Sequence, residues 1–296
     1  MKAAASWTPS LTELIRRTSV DLPPDVEAAL RRAHRGEKRG SRAKWVLGMM
    51  LENVDAARRN SSPLCQDTGS LTFYVRAPHG FDVSDVERDV RRAVRLATRR
   101  GHLRQNTVES VTGRPIADNV ATGAPLVHVA FESRRTIEVG LLMKGGGCEN
   151  VGRQYSLPDS ALGADRDTAG VHRCVLDALV QAQGRGCAPG ILGVCIGGDR
   201  ASGYHHAKRQ FLRHLDDRAP DSTLAALEHQ VMREARQLGI GPMGLGGTCT
   251  LLGVKIGSLS RVPASFFVTV AYMCWSYRRR RVVLGADGRI RSWVGP

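Results

Sequence analysis

Apolar positions along the chain recur at two periods, and the switching between them marks a mixed architecture. From Ser41 to Arg59, Trp45, Val46, Met49, Met50 and Val54 form one stripe at helical spacing, and the segment closes in Asn60-Ser61-Ser62-Pro63, a loop signal. Two shorter helices precede it. One is opened by the capping-box spacing of Ser10-Leu11-Thr12-Glu13, the other by Pro23-Pro24-Asp25 and runs to about His34. Leu71 to Val75 reads as a strand and Val83 to Arg100 as an amphipathic helix. Two strands, Leu126 to Phe131 and Thr136 to Met143, flank Ser133-Arg134-Arg135 and suggest a hairpin. Asp167 to Gln183 is helical, Ile191 to Ile196 is a short buried strand, and residues 200–215 and 222–238 are helical again. Thr250 to Ile256 and Phe266 to Met273 are strands, and Val282 to Trp293 reads as a hairpin turning at Asp287-Gly288. No repeat or low-complexity linker interrupts this order. The expectation is a single large α+β domain over residues 1–296, with helices packed on mixed β-sheets.

Composition narrows the class. The 296 residues are 42% hydrophobic, enough for a sizeable core. No apolar run reaches the roughly 18 residues of a membrane span, and the first residues lack a signal-peptide core, so a cytoplasmic protein without membrane contact is expected. The cysteines at 65, 148, 174, 187, 195, 249 and 274 are odd in number and none shows C-x-x-C spacing, which argues against a disulfide framework and a zinc ribbon. The net charge of +15 raises nucleic-acid binding as a possible function class. Much of that charge is arginine pairs on predicted helices, with a dense patch at Arg278-Arg279-Arg280-Arg281. Aromatic residues are only 5% and do not interleave with the basic ones, so solvated helix faces and a seam for an acidic partner subunit are favoured over nucleic acid.

The candidate chemistry lies where glycine and cysteine coincide. Pro63-Leu64-Cys65-Gln66-Asp67-Thr68-Gly69, Lys144-Gly145-Gly146-Gly147-Cys148-Glu149-Asn150, Gly184-Arg185-Gly186-Cys187-Ala188-Pro189-Gly190 and Gly241-Pro242-Met243-Gly244-Leu245-Gly246-Gly247 all adjoin predicted strands, where sites are commonly built. None has a P-loop or dinucleotide-binding pattern. Cys174 and Cys195 lie within a helix and a buried strand and read as core. Cys65 and Cys187 lie in polar Gly/Pro-rich loops, where burial as a hydrophobe is a poor explanation. Cys274 ends a strand ahead of the arginine run, and nearby cations favour its thiolate.

These blocks, with Leu103-Arg104, Gly193-Val194-Cys195-Ile196-Gly197-Gly198 and Cys274-Trp275, resemble in order and separation the alpha subunit of the class I fumarases and L(+)-tartrate dehydratases over essentially the whole chain. The resemblance implies a class I fumarase N-terminal-domain-like fold and a hydro-lyase reaction. It also implies a [4Fe–4S] cluster held by Cys65, Cys187 and Cys274, leaving one iron open to act as a Lewis acid. Cys249, close behind Gly246-Gly247, is a rival for the third ligand; the family's ligand lies well beyond that glycine block, before a Trp and basic residues, which favours Cys274. Gln66, Asp67 and Arg104 carry the implied catalytic and substrate-binding roles, joined by the backbone near Gly147, around a small dicarboxylate. Taken by themselves, Arg104 is a surface arginine after a helix stop and Asp67 a turn cap. The family completes its site with a second, beta subunit, so an alpha2beta2-type hetero-oligomer is expected, and with nothing after Trp293 to supply that half the chain is expected to bind the cluster without turnover. A basic scaffold or nucleic-acid-binding protein that kept the fold is the alternative class.

The pattern is broken at several positions. A family histidine twelve residues before the third ligand is Val262 here, Cys-Pro-Pro is Cys187-Ala188-Pro189, and Lys-Thr-Thr is Thr248-Cys249-Thr250. The loop after Arg104 is Gly113-Arg114-Pro115-Ile116-Ala117-Asp118-Asn119. Val262 is expected to put an apolar wall beside the substrate and to suit a methylated or otherwise substituted hydroxy-acid.

Overall fold

The structure, a computed structural model, describes residues 6–295. In chain order its elements are α1 (Thr8–Val20), α2 (Pro24–Gly36), α3 (Arg42–Asn60), β1 (Ser70–Pro78), α4 (Ser84–Arg99), β2 (Leu126–Glu132), β3 (Ile137–Lys144), α5 (Gly146–Asn150), β4 (Arg153–Ser156), α6 (Thr168–Ala182), β5 (Gly190–Gly197), α7 (Arg200–Arg209), α8 (Ser222–Ala235), β6 (Leu251–Leu259), β7 (Phe267–Met273), β8 (Arg278–Leu284) and β9 (Ile290–Trp293). Helices and mixed sheets in this irregular order make an α+β protein, as the periodicity predicts. The chain forms two compact units. The first takes the described residues up to 23, 53–145 and from 278 onward; the second takes 24–52 and 146–277.

The first unit is built on a five-stranded sheet in the order β2-β1-β3-β8-β9. Leu71 to Val75 are all buried, which requires cover on both faces and neighbours on both sides, and β1 accordingly sits inside the sheet. It pairs in parallel with β2 and antiparallel with β3. The hairpin expected from Leu126 to Met143 is therefore not formed: β1 lies between its two strands. β2, half-exposed along its length, takes the edge instead. Helices α1 and α4 pack on the sheet through Leu11, Leu14, Ile15, Val86, Val90 and Val94 against Phe73, Val75, Val139, Leu141 and Val282. The first helix begins at Thr8 rather than Ser10, with Trp7 as a cap that makes no side-chain bond and proline in the first turn, where its fixed φ suits a helix start.

The arginine run is the largest departure from expectation in this unit. It is not a surface patch but the first half of β8, and Arg278 and Arg279 are buried. Arg280 donates to Asp21 Oδ2 (3.0 Å) and to the Leu22 carbonyl (3.1 Å), while Arg281 reaches Glu138 Oε1 (3.3 Å). The helical arginines behave as solvated faces: Arg16 and Arg17 pair with Glu13, and Arg58 pairs with Asp21. Such exposed pairs contribute roughly 0–1 kcal/mol each. The C-terminal hairpin is formed as predicted, β8 antiparallel to β9.

The second unit has a four-stranded sheet, β4-β7-β5-β6. β5 is apolar and buried almost throughout, with α6 and α8 contributing Val171, Val175, Leu179, Leu227 and Val231 to a core shared with Leu192, Val194, Val254 and Val270. Gly193 lets α7 lie directly on β5, since a Cβ there would strike the Ala207 carbonyl and stand 3.0 Å from the Phe211 ring. The row that α3 buries is Val46, Leu47, Met50, Leu51 and Val54. Trp45 and Met49, expected in its stripe, are 66% and 48% exposed.

Strand direction decides which loops of this unit meet. β5 runs parallel to β6 and antiparallel to β7, with Gly190 opposite Leu251 and Ile191 opposite Met273. The starts of β5 and β6 and the end of β7 therefore share one end of the sheet. No helix among the described residues is long and apolar enough to cross a membrane.

Gly193→Ala is expected to lower the stability of the second unit by about 1–3 kcal/mol, because the backbone of α7 has nowhere to go. Gly36→Ala, at a helix end with nothing within 4 Å of the new Cβ, is expected to be neutral or slightly stabilising. Urea unfolding of the two variants checks this; equal midpoints would show that the close approach of α7 to β5 carries no energy.

Candidate active site

In the first unit the segment Pro63–Gly69 leaves α3 and enters β1. It is pinned at Leu64, whose N–H donates to the Ser19 carbonyl (2.9 Å) and whose carbonyl accepts from Asn53 Nδ2 (2.9 Å). Gly69 adopts φ +73° against the Lys144 carbonyl, an approach no side chain permits. Asp67 Oδ1 accepts from the Gly69 N–H (2.9 Å) and from Asn106 Nδ2 (2.7 Å). The Asp67 carbonyl accepts from Arg278 Nη2 (2.8 Å). Arg278 is fully buried, and its Nε and Nη1 have no partner among the described residues.

Gln66, Asp67 and Arg104, three residues singled out from the sequence, line one open cavity of about 520 Å³ together with Gln105 and Asn106. Asn106 and Asn119 were not foreseen. Asn119 is buried at φ +59°, a conformation asparagine tolerates better than most residues. Its amide donates to the Arg104 carbonyl (2.7 Å), and its oxygen accepts from the N–H groups of Asn106 (2.9 Å) and Thr107 (3.0 Å). The segment carrying Arg104 and Asn106 is thus held by one side chain from the unusual 113–119 loop.

In the second unit, Cys187, the Cys249 segment and Cys274 all emerge at the shared end of the sheet. Cys187 is half-buried at φ +57°, and its carbonyl accepts from the Trp275 N–H (3.2 Å), which ties its loop to the residue after Cys274. The Ala188 carbonyl accepts from the Met243 N–H (2.9 Å), and a Cβ at Gly184 would meet the Gly244 nitrogen at 2.6 Å, so the glycine loops interlock. Gly147 lines a smaller cavity of about 230 Å³ with Asn150, Arg153 and Arg185. Among the described residues no three His, Cys, Asp or Glu side chains gather closely enough to hold one metal ion.

The thiols differ in surroundings. Cys249 is pushed up to about 12 by burial and by the Glu37 carboxylate, which accepts from the Thr248 (2.7 Å) and Cys249 (2.8 Å) N–H groups. The protonated thiol is favoured there while no cation lies beside the sulfur. Burial likewise pushes Cys174 and Cys195 up to about 12, consistent with core roles. Two buried hydroxyls, Tyr272 and Ser276, flank Cys274 in sequence and have no hydrogen-bond partner among the described residues; Thr68 in the Cys65 loop is a third. Burial and the sulfurs of Cys274, Cys148 and Cys187 raise the Tyr272 pKa, keeping its proton in place.

Residues 8–283 match the family model described as fumarate hydratase (fumerase). The chain belongs to the fumarate hydratase family. A provisionally named class I fumarate hydratase of Geobacillus stearothermophilus is 45% identical over 96% of this chain, which spans 56% of that protein's length. A provisionally named L(+)-tartrate dehydratase subunit alpha of Methanocaldococcus jannaschii is 31% identical, covering 93% of this chain and 97% of its own. The L(+)-tartrate dehydratase subunit alpha of Escherichia coli K12 is 29% identical, covering 94% and 91%.

Val262, which replaces a histidine expected from the resemblance, lies in the second unit. Val262 is 65% exposed in the turn between β6 and β7. That turn lies at the end of the second sheet away from Cys187 and Cys274, about 20 Å off at the rise of an extended strand. Val262 therefore forms no apolar wall beside those two cysteines.

Asn119→Ala is expected to release the Arg104–Thr107 segment. Amide exchange at Asn106 and Thr107 should accelerate at least tenfold, with a loss of about 1–3 kcal/mol in stability. Unchanged protection of those two amides would show that Asn119 does not hold the segment.

Proposed function

We propose that this chain is the cluster-binding part of a hydro-lyase that adds water to, or removes it from, a small hydroxy-dicarboxylate of the malate or tartrate kind. In this reading Cys65, Cys187 and Cys274 are the thiolate ligands of a [4Fe–4S] cluster. The observation that carries the reading is the junction of the Cys187 loop with Trp275, which gathers two of the three thiols at one sheet end. The surroundings suit such a group: glycines leave the approach open, and two buried hydroxyls near Cys274 lack an acceptor among the described residues.

When bound, the cluster supplies a Lewis-acidic iron that makes the substrate hydroxyl a better leaving group. The chain's own residues hold the substrate. Arg104, on the segment fixed by Asn119, clamps a carboxylate through paired N–H donors. Gln66 offers its side-chain amide from the same cavity wall. Asp67, oriented by Gly69 and Asn106, holds a proton-bearing group of the substrate or of the leaving water. The backbone at Gly147 presents an N–H with no side chain in the way. Arg278, a buried cation on the Asp67 carbonyl with two unpartnered nitrogens among the described residues, makes the neighbourhood of that loop favourable to anions.

The names of two relatives as alpha subunits support a partner. We assign the missing half of the site to a beta-type subunit in an alpha2beta2-type assembly. The test is to purify the chain without oxygen, alone and with a beta-like protein encoded beside it, and to assay fumarate, malate, tartrate and methylated analogues. The paired protein should turn over at least one of these acids and the chain alone none. Arg104→Ala should lower kcat/KM about 10–100-fold with the cluster's visible absorbance unchanged. A cluster-loaded pair inactive on every acid would contradict the proposed reaction, and turnover by the chain alone would contradict the divided site.

A further inference from the structure

Tyr272 is a fully buried aromatic side chain near the end of the second sheet where Cys187 and Cys274 emerge. It lies on β7 opposite Leu192 of β5, two residues before Cys274, and is 1% exposed. Its ring fills the space left by two glycines of the Cys187 loop: a Cβ at Gly186 would strike the ring, and a Cβ at Gly190 would strike the hydroxyl. The hydroxyl is therefore directed into the Cys187 loop. No acceptor for it exists among the described residues. Leaving a buried hydroxyl without a partner costs about 1–3 kcal/mol, so an acceptor belongs there. The contrast within the same unit is Tyr155, whose hydroxyl donates to Asp177 Oδ2 at 2.7 Å.

We propose that the Tyr272 hydroxyl donates a hydrogen bond to a sulfur of the cluster, either the Cys187 or Cys274 thiolate or a bridging sulfide, and so tunes the cluster without touching substrate. This rests on the cluster reading above. A hydrogen bond to sulfur draws electron density from the cluster and stabilises its reduced form, so it raises the reduction potential. Outer-shell donors of this kind also hold the ligand in the orientation its metal requires. The two glycines then have a physical reason: any side chain at 186 or 190 would displace the phenol from the sulfur.

The experiment is an anaerobic redox titration of the loaded chain, followed by the electron paramagnetic resonance of the reduced cluster, in the wild type, Tyr272→Phe and Tyr155→Phe. Iron and sulfide are measured in parallel. Tyr272→Phe should keep its iron and sulfide but shift to a more negative potential, while Tyr155→Phe should match the wild type. A Tyr272→Phe potential equal to that of the wild type would overturn the proposal, as would an equal shift in Tyr155→Phe. Should Tyr272→Phe fail to load, Gly190→Ala gives a second reading, since moving the phenol must shift the potential in the same direction; an unshifted Gly190→Ala cluster would overturn the proposal. A wild-type chain that binds no cluster would instead sink the cluster reading itself.

Discussion

The antiparallel pairing of β5 with β7 is the constraint on which the second unit's chemistry depends. Ile191 faces Met273, so the residues just before β5 and just after β7 must leave the sheet side by side. Cys187 and Cys274 are separated by 87 positions in the chain, yet this register brings their segments together, and the Trp275 N–H on the Cys187 carbonyl fixes the junction. A slip of one residue would turn each side chain of β7 to the opposite face, exchanging Tyr272 and Met273. The register is protected by burial on both faces of β5 and by the glycine at 193, which only a closely packed α7 explains.

The first unit meets a different demand, the stabilisation of charge. Its Cys65–Gly69 loop carries a carboxylate oriented by two donors, and beneath it lies a guanidinium taken wholly out of water. Among the described residues this buried guanidinium bonds a backbone carbonyl rather than a carboxylate, an arrangement that costs stability. The same side chain braces the loop through the Asp67 carbonyl, so orientation and electrostatics come from one residue.

Much of this was legible in the sequence. The helices and most strands followed from their period, and Gln66, Asp67 and Arg104 were found from motif blocks far apart in the chain and do line one cavity. What failed was what depends on partners rather than on local pattern. The 126–143 segment looks like a hairpin because two strands flank a short turn, but the buried strand β1 competes for the central place and wins. Arg278 to Arg281 look like a solvent-facing patch because four charges are adjacent. A strand whose flanking elements supply carbonyls and carboxylates takes them inward instead. Asn119 carries no signal beyond its tolerance of positive φ, and the end of the sheet that the Val262 turn occupies is not legible from spacing along the chain.

The most direct test of the cluster assignment is the iron and acid-labile sulfide content of the chain reconstituted without oxygen, compared with Cys65→Ser, Cys187→Ser, Cys274→Ser and Cys249→Ser. Three specific thiolates holding a [4Fe–4S] cluster predict about four irons and four sulfides per wild-type chain, the same in Cys249→Ser, and a severe loss in each of the other three. Full loading of Cys274→Ser together with loss in Cys249→Ser would contradict the assignment of ligands, and a wild-type chain without iron or sulfide would contradict the cluster.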